Sequence, residues 1–490
     1  MNANLKQAIY DHIDTNIDDH IERLRSWISQ PSISNTGEGI QECAELTASF
    51  FRELGCQTVE IDPIGETRWG TIANPVVFGH YDAGAEKTLL LYFMYDTMPT
   101  GDPDRWVKPP HAGEIIEQEP FKAVMIGRGT INSKGPQMAL LNALMSIKAV
   151  AGELPVNLML IAEGDEERMS IGLHEFIHRN AERLRQADAM LGFGWQDQNG
   201  IAKPMSGSEG CLYFELTTSG ESWGRGPAKS NIHGTYKRTV DSIAWRHIEM
   251  LNTLTSDNGN TILVEGWYDG QQPPSADDQR MLDAMVEDVD LEATARLLGI
   301  GGFIPGKSRR ELLQDSIFGT SLNMDGIWGG LTTPGTAGSI MPNSVTSKHN
   351  CRYVPDQDGQ DLLSKVRAHL DSRGYEDVEI NVIGDVPWVV ASYDTDIMRA
   401  VFGMYDEFGV EYRLMPGTGA GGLGPYWPAY LFNRDPLQLP LALGALGHGG
   451  RAHSYDEYYV IEGNDRVYGL AGAEKGYVAT IYNYVGNDAG

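Results

Sequence analysis

Apolar runs that resemble strands alternate with amphipathic helices in the first part of this chain, and this alternation restricts the possible folds more than any other feature. The runs LLLYF (89–93) and LPVNLMLIAE (154–163) are typical of buried strands, and a helix is predicted between them at 137–149. Strands separated by helices form a mostly parallel sheet with helices on both faces. Ligands of such sheets bind beyond the carboxyl ends of the strands. We therefore expect an α/β fold with functional residues at those ends.

The charge of the chain restricts its partners. The 490 residues include 67 acidic and 38 basic side chains, which gives a net charge of -29. Because such a chain repels phosphate backbones and anionic lipids, we expect a small-molecule substrate and neither nucleic acid nor membrane as a partner. The four cysteines have no C-x-x-C spacing, which is typical of a reducing compartment. Residues 1–28 have helical rather than signal-peptide spacing, so we predict a cytoplasmic protein.

Two similar phrases could each mark the functional end of the first buried strand. His-Tyr-Asp lies at 80–82, and Met-Tyr-Asp lies at 94–96, directly after the LLLYF run. The second phrase follows a clear apolar strand, whereas the first precedes a glycine-containing turn. We therefore interpret His80 as a loop residue without a catalytic role, and we place the functional strand end at Asp96.

Three further phrases have the composition of a metal site. They are GRGTINSKGP (127–136), AEGDEERMSIG (162–172) and GHGGRAHSYDEY (447–458). Zinc and manganese are bound by imidazole nitrogen and carboxylate oxygen at about 2.0 to 2.2 Å, so histidines and acids at strand ends suit them. Each phrase alone is a weak signal, because acidic triplets are common in solvated loops.

In this order, the phrases resemble the aminoacylase, carnosine dipeptidase and acetylornithine deacetylase superfamily, peptidase family M-twenty. The resemblance covers nearly the whole chain, from WISQPSIS to HGGRAHSYDEYYVIEG. It implies a catalytic domain in two segments, 1–212 and 387–490, around an inserted α+β lid and dimerisation domain at 213–386. A homodimer that forms through the lid is part of the same expectation.

The resemblance also assigns roles to individual residues. It makes Glu166 the general base, and it makes Glu167 and His453 ligands of the second of two metal ions. Asp96 matches the aspartate that orients a ligand of the first ion. His233, in SNIHG (230–234), matches a histidine that reaches the active site of the neighbouring subunit and steadies the oxyanion.

Three metal positions depart from the pattern of the family, as do Asn231 and Gly234 beside His233. Met94 takes the place of a histidine ligand, and a thioether is a poor zinc ligand. Asn132 takes the place of the aspartate that bridges the two ions. Gly194 or Trp195 takes the place of a further acidic ligand, with Asp197 a few residues late. We therefore expect either one weakly held zinc or manganese ion, with Asn132 or Asp197 as a possible third ligand, or no metal.

The remaining assignments concern substrate binding. Arg352, in CRYVPDQD, matches an arginine that can hold a substrate carboxylate through two parallel hydrogen bonds, and a salt bridge within the lid is the alternative. The run PGTGAGGLGP (416–425) resembles a glycine-rich substrate loop, in which the backbone amides of Gly417 and Gly419 would receive a carboxylate. Asn132 is assigned to the same substrate site.

These residues leave three functions open. The first is hydrolysis of the amide bond of a small peptide or an N-acylated amino acid, with Glu166 as the base and at most one metal. The second is a metal-independent proton transfer, as in an epimerase, lyase or acyl transferase. This function is favoured by the crowding of four carboxylates, whose mutual repulsion should raise at least one pKa toward neutrality. They are Asp96, Asp165, Glu166 and Glu167. The third is a binding homologue without activity.

Overall fold

The computed structural model describes residues 3–415 and 427–486. None of the helices in these ranges is long and apolar enough to cross a membrane. The helices of the described residues are α1 (Ala3–Thr15), α2 (Ile17–Ser29), α3 (Ile40–Leu54), α4 (Gly135–Ala151), α5 (Ile171–Leu184), α6 (Gly220–Trp223), α7 (Ile243–Leu251), α8 (Ala276–Asp288), α9 (Leu291–Leu298), α10 (Arg309–Phe318), α11 (Gly359–Asp371), α12 (Asp396–Phe408), α13 (Ala429–Asn433) and α14 (Leu470–Gly486).

The strands of the same residues range from long ladder strands to two-residue pairs. They are β1 (Thr58–Asp62), β2 (Gly65–Glu66), β3 (Ile72–Ala73), β4 (Val76–Tyr81), β5 (Thr88–Met94), β6 (Glu114–Gln118), β7 (Phe121–Ile126), β8 (Asn157–Glu163), β9 (Ala189–Gly192), β10 (Gly207–Ser208), β11 (Gly210–Ser219), β12 (Ile232–His233), β13 (Thr255–Ser256), β14 (Thr261–Ile262), β15 (Ser321–Trp328), β16 (Ile340–Met341), β17 (Ser344–Tyr353), β18 (Glu379–Val386), β19 (Val389–Val390), β20 (Leu441–Leu443), β21 (Gly449–Gly450) and β22 (Tyr458–Glu462).

The chain divides into two compact units. The first unit extends to Ser206, resumes from Ala391 to Met415 and continues from Trp427, and the second extends from Gly207 to Val390. The second unit is therefore inserted between two segments of the first.

The sheet of the first unit has the strand order β1-β4-β8-β5-β9-β20. Strands β8, β5, β9 and β20 are parallel neighbours, whereas β4 is antiparallel to both β1 and β8. In this sheet only β4 is reversed, so the prediction of a mostly parallel sheet is confirmed. A second sheet of the same unit has the order β21-β22-β7-β6.

Side chains of the large sheet alternate between two covered faces, as a strand period of two requires. Leu89, Leu91 and Phe93 of β5 belong to a buried core that also contains residues of α3, α4, α12 and α14. On the other face, the ring of Tyr92 lies 5.3 Å from that of Phe432 in α13. This sandwich places the carboxyl ends of β5 and β8 at one edge, where the site lies.

The second unit is built on an antiparallel sheet with the order β15-β17-β11-β18. Buried and partly exposed residues alternate along β17, and its buried side chains share a core with α7 and α11. Strand β15 forms one edge of this sheet. The unit has the α+β character that the sequence predicted for the inserted domain, and its function as a lid stays a prediction.

Candidate active site

A tight turn after β8 carries the two glutamates, and Asp96 holds this turn from the neighbouring strand end. Strands β5 and β8 are parallel and in register, with Met94 opposite Glu163, so both end at the same edge of the sheet. Asp96 is fully buried, and its two carboxylate oxygens accept hydrogen bonds from the backbone N–H groups of Glu166 (3.2 Å) and Glu167 (3.1 Å). Asp96 thus fixes the backbone from which both glutamates project.

Asn132, Glu167 and His453 form a three-way contact beside this turn. The amide Nδ2 of Asn132 lies 2.8 Å from Oε1 of Glu167 and 2.9 Å from Nε2 of His453. The same Oε1 and Nε2 atoms lie 3.0 Å apart. The Glu167 side chain is only 5% exposed and that of His453 is 52% exposed, so the cluster extends from the interior to the solvent.

A buried ion pair places Asn132. The Glu457 carboxylate accepts the backbone N–H groups of Ile131 (3.1 Å) and Asn132 (3.0 Å) on one oxygen and the Arg128 guanidinium (2.6 Å) on the other. Arg128 and Glu457 are both buried. The sequence analysis did not assign either residue a role, although both lie in its quoted phrases, because nothing local indicates that they pair.

Burial and mutual repulsion raise the pKa values of the acids in this cluster. Burial, with the charge of Glu167 next in importance, raises the pKa of Asp96 to about 8. Burial also raises the pKa of Glu166 well above its usual range, and Glu167 and Asp96 add to the effect. Burial is thus the main cause of these raised pKa values, and the repulsion between carboxylates that the sequence predicts adds to it.

Asp165 stabilises the glutamate turn through contacts with Asn74 and Arg168. It accepts hydrogen bonds from the backbone N–H (2.7 Å) and the side-chain amide (2.9 Å) of Asn74, and it pairs with Arg168 at 3.0 Å. The amide of Asn74 also donates to the carbonyl of Gly164 at 2.8 Å. These contacts brace the far side of the glutamate turn. Asn74 precedes the apolar residues of strand β4, and no sequence signal indicates its contact with Asp165.

The positions that differ from the family pattern cannot supply the ligands of a first metal ion. Met94 is buried, and its backbone N–H and C=O are both bound by the Gln137 side-chain amide, at 2.6 and 2.8 Å. A Cβ atom on Gly194 would lie 2.7 Å from Cα of Gly444, so that backbone leaves no space for a carboxylate side chain. The ring of Trp195 stacks on that of Phe193, at 6.2 Å.

Asp197 does not replace the missing ligand, because its carboxylate accepts the backbone N–H groups of Asn199 (2.8 Å) and Ile201 (3.1 Å) within a local turn. Among the described residues, no three His, Cys, Asp or Glu side chains are grouped so that they could hold a metal ion. Glu167 and His453 remain together, but the third group beside them is an amide nitrogen, which donates a hydrogen bond rather than a lone pair. The residues present therefore do not fit a pair of metal ions.

The interpretation of His80 as a loop residue is wrong, because His80 lies in strand β4. His80 pairs with Met159 of β8, and Met159 pairs with Leu90 of β5. His80 is thus level with Leu90, four positions before Met94, which corresponds to about 13 Å at about 3.3 Å per residue. The apolar residues directly before His80 begin this strand, and an apolar run does not reveal that the strand is reversed.

We expect His80→Ala to leave turnover and metal content within about threefold of the wild type, because a side chain that far from the strand end touches no reacting group. Steady-state kinetics and metal analysis of both proteins test this expectation. A loss of about 100-fold in a variant with unchanged circular dichroism would contradict it.

The other predicted residues lie in the second unit or outside the described residues. His233 is exposed, and its Nδ1 accepts the backbone N–H of Thr235 at 3.2 Å. Arg352 makes a salt bridge with Glu209 at 3.0 Å, and both residues lie in the second unit. Gly417 and Gly419 lie outside the described residues. The roles assigned to these residues by resemblance stay predictions.

The fold and the clustered acids, amide and histidine define an enzyme of the peptidase and amidohydrolase class. The sequence profile described as "Peptidase family M20/M25/M40" matches residues 90–468, and the chain belongs to this family.

Similar curated proteins and solved structures agree with this assignment. The chain is 24% identical over 477 residues to the Beta-Ala-His dipeptidase of Mus musculus, which covers 93% of this chain and 92% of that protein. It is 26% identical over 378 residues to a Cys-Gly metallodipeptidase of Candida albicans, covering 75% of each. Among solved structures, a metallo-carboxypeptidase from Sulfolobus solfataricus is 25% identical, with a TM-score of 0.80 over 95% of this chain and 99% of the other.

Proposed function

We propose that this protein hydrolyses the amide bond of a small peptide or an N-acylated amino acid, with Glu166 as the general base. The observation that carries the proposal is the placement of Glu166 on the turn that Asp96 fixes, directly before Glu167, whose side chain contacts Asn132 and His453. Two curated relatives that span most of the chain are named for dipeptides, Beta-Ala-His and Cys-Gly. A dipeptide or another small amide is therefore the preferred substrate class.

The chemistry of Glu166 follows from its surroundings. A general base works best when its pKa lies near the working pH, because it must accept a proton from water and then release it. Burial and the carboxylates of Glu167 and Asp96 raise the pKa of Glu166 in that direction. After attack on the amide carbon, the same carboxyl group can return the proton to the leaving amine.

The metal content that we propose is at most one transition-metal ion per chain, bound weakly. A pair of ions needs a bridging carboxylate, and position 132 holds an amide. Catalytic zinc sites usually have three protein ligands, whereas Glu167 and His453 are only two. No step of the proposed reaction depends on such an ion.

A second candidate is a metal-independent proton transfer next to a carbonyl group, as in an epimerase, lyase or acyl transferase. One observation favours this candidate. The chain has the glutamate and aspartate of the family pattern, Glu166 and Asp96, whereas Met94 and Gly194 supply no metal ligand. A base of raised pKa can take a proton from carbon as well as from water.

A substrate panel in D₂O separates the two candidates. Purified protein is incubated with β-Ala-His, Cys-Gly, other dipeptides and N-acetyl amino acids, with and without EDTA, and the products are measured by mass spectrometry. We expect free amino acids to appear in both conditions. Deuterium at the α-carbon or a transferred acyl group, without release of amino acids, would favour the second candidate and contradict hydrolysis.

We further propose that the second unit forms a homodimer. Trp245 and Ile248 on α7 are 60% and 47% exposed, and Met324 and Trp328 on the edge strand β15 are 49% and 44% exposed. Large exposed apolar side chains and an unpaired strand edge are typical of surfaces that bind a partner. The predicted role of His233 also requires a second subunit.

Trp245→Asp combined with Trp328→Asp should shift the protein from dimer to monomer at micromolar concentration, because both changes put charge into an apolar interface. Val107→Asp is the matched control, since Val107 is a comparably exposed apolar residue (59%) of the first unit. Sedimentation velocity of the three proteins tests the prediction. A monomeric wild type, or equal dissociation of the control, would contradict it.

A further inference from the structure

The cluster of Asn132, Glu167 and His453 contains a hydrogen-bond donor where the family resemblance implies a cation. We propose that the side-chain amide of Asn132 replaces the metal ion as the group that holds Glu167 and His453 together, and that these two residues act without a bound metal. Such a site goes beyond the proposed limit of one ion, because it needs none. Because the role of the amide concerns how the site is built, it can be tested without a substrate.

The distances show what the amide does. Nδ2 of Asn132 lies 2.8 Å from Oε1 of Glu167 and 2.9 Å from Nε2 of His453. An amide nitrogen has two N–H donors and no free lone pair for a metal. Either the amide donates to both neighbours, or the amide and a protonated His453 both donate to Glu167. In both arrangements the negative charge of the Glu167 carboxylate is stabilised by N–H donors, in the place of a cation.

The surrounding contacts hold the amide in this orientation. The hydroxyl of Ser133 donates to Oδ1 of Asn132 at 3.0 Å, which leaves Nδ2 facing Glu167. The backbone of Asn132 is fixed by the buried Glu457 carboxylate, which is in turn paired with Arg128. The nitrogen is thus presented to Glu167 and His453 by a rigid, buried support.

A neutral side chain at position 132 is also what a metal-free site requires. An aspartate there would put a second carboxylate about 2.8 Å from Glu167, the distance that the amide nitrogen now has. Two carboxylates at that distance repel each other unless a proton or a cation lies between them. Beyond Glu167 and His453, the neighbouring positions offer no further ligand for such a cation, since Gly194 lies against Gly444 and Met94 has no anionic group.

The isosteric variant Asn132→Asp tests the proposal. If Asn132 acts as a hydrogen-bond donor, the change should increase zinc affinity and lower stability in EDTA; if Asn132 is already a metal ligand, the wild type should itself bind zinc tightly. Protein stripped with EDTA is titrated with zinc chloride by calorimetry, and thermal unfolding is measured in EDTA and in zinc. We expect the wild type to show the same weak zinc binding as Glu167→Gln, and to melt at the same temperature in both buffers. Asn132→Asp should bind zinc at least about tenfold more tightly. It should also melt several degrees lower in EDTA and regain the loss in zinc.

The exchange variant Asn132→Asp with Glu167→Gln is the matched control. It restores an amide-to-carboxylate hydrogen bond with the two partners exchanged, so it should recover the melting temperature in EDTA and lose the gained zinc affinity. The proposal is overturned if the wild type binds one zinc per chain as tightly as Asn132→Asp and is stabilised by it, because Asn132 would then present its oxygen to the ion. None of these measurements involves turnover, so their failure and the failure of the proposed hydrolysis are distinguishable.

Discussion

Glu166→Gln should lower kcat about 10²- to 10⁴-fold on any substrate that the wild type hydrolyses, the usual loss for a positioned general base. The amide has nearly the same shape as the carboxylate but cannot accept a proton at neutral pH. The backbone N–H of Glu166 remains bound to Asp96, so the turn should be kept. Because the base acts in the chemical step, we expect KM to change much less than kcat.

Asp197→Asn is the matched control for this loss of charge. Asp197 follows the position of the predicted acidic ligand by a few residues. Its carboxylate holds a local turn, in which an asparagine oxygen can still accept the same backbone N–H groups, and it forms a partly exposed pair with Lys203 at 3.8 Å. Its turnover should stay within about threefold of the wild type. Normal turnover of Glu166→Gln, with the wild-type circular dichroism spectrum, would show that another residue is the base.

The convergence of Asp96 with the glutamate turn could be predicted from sequence because it depends on local patterns. Each group directly follows an apolar run, and parallel strands that end together bring such residues to one edge. The same pattern could not give the direction of β4, because an apolar run looks alike in either direction. The glycine-containing turn after His80 favours a loop, whereas the register places His80 inside a reversed strand.

The supports of the site could not be predicted, because they join residues that are distant in the chain. Arg128 and Glu457 are 329 positions apart, and Asn74 and Asp165 are 91 positions apart. No periodicity links such pairs, and only the folded backbone brings them together. The sequence indicates where the candidate residues lie, at the ends of neighbouring strands, but not what holds them.

Gly194 illustrates the same limit at a single position. From sequence it could be interpreted only as a missing acidic ligand. In the structure its Cα faces the backbone of Gly444 and Ala445, within 2.7 and 2.8 Å of where a Cβ would lie. Restoring the ligand would therefore require a shift of two backbone segments. The absence of an acidic side chain at position 194 is thus part of how the chain packs, beyond the change of one side chain.

Arg128→Met should lower the free energy of unfolding by about 3 to 5 kcal/mol, the usual cost of removing one partner of a buried ion pair. Both side chains are nearly inaccessible, with 3% and 0% exposed, so Glu457 would be left as an unpaired buried carboxylate. Arg225→Met is the control, because Arg225 and Asp241 form an exposed pair worth at most about 1 kcal/mol.

Urea unfolding followed by circular dichroism measures these differences. The double variant Arg128→Met with Glu457→Gln should recover part of the loss, since it removes the stranded charge while the new amide oxygen can still accept the N–H groups of Ile131 and Asn132. If the free energy of unfolding of Arg128→Met instead lay within about 1 kcal/mol of the wild-type value, the ion pair would not be what anchors the Asn132 turn. The support that we assign to the amide would then have to come from Ser133 and the neighbouring backbone.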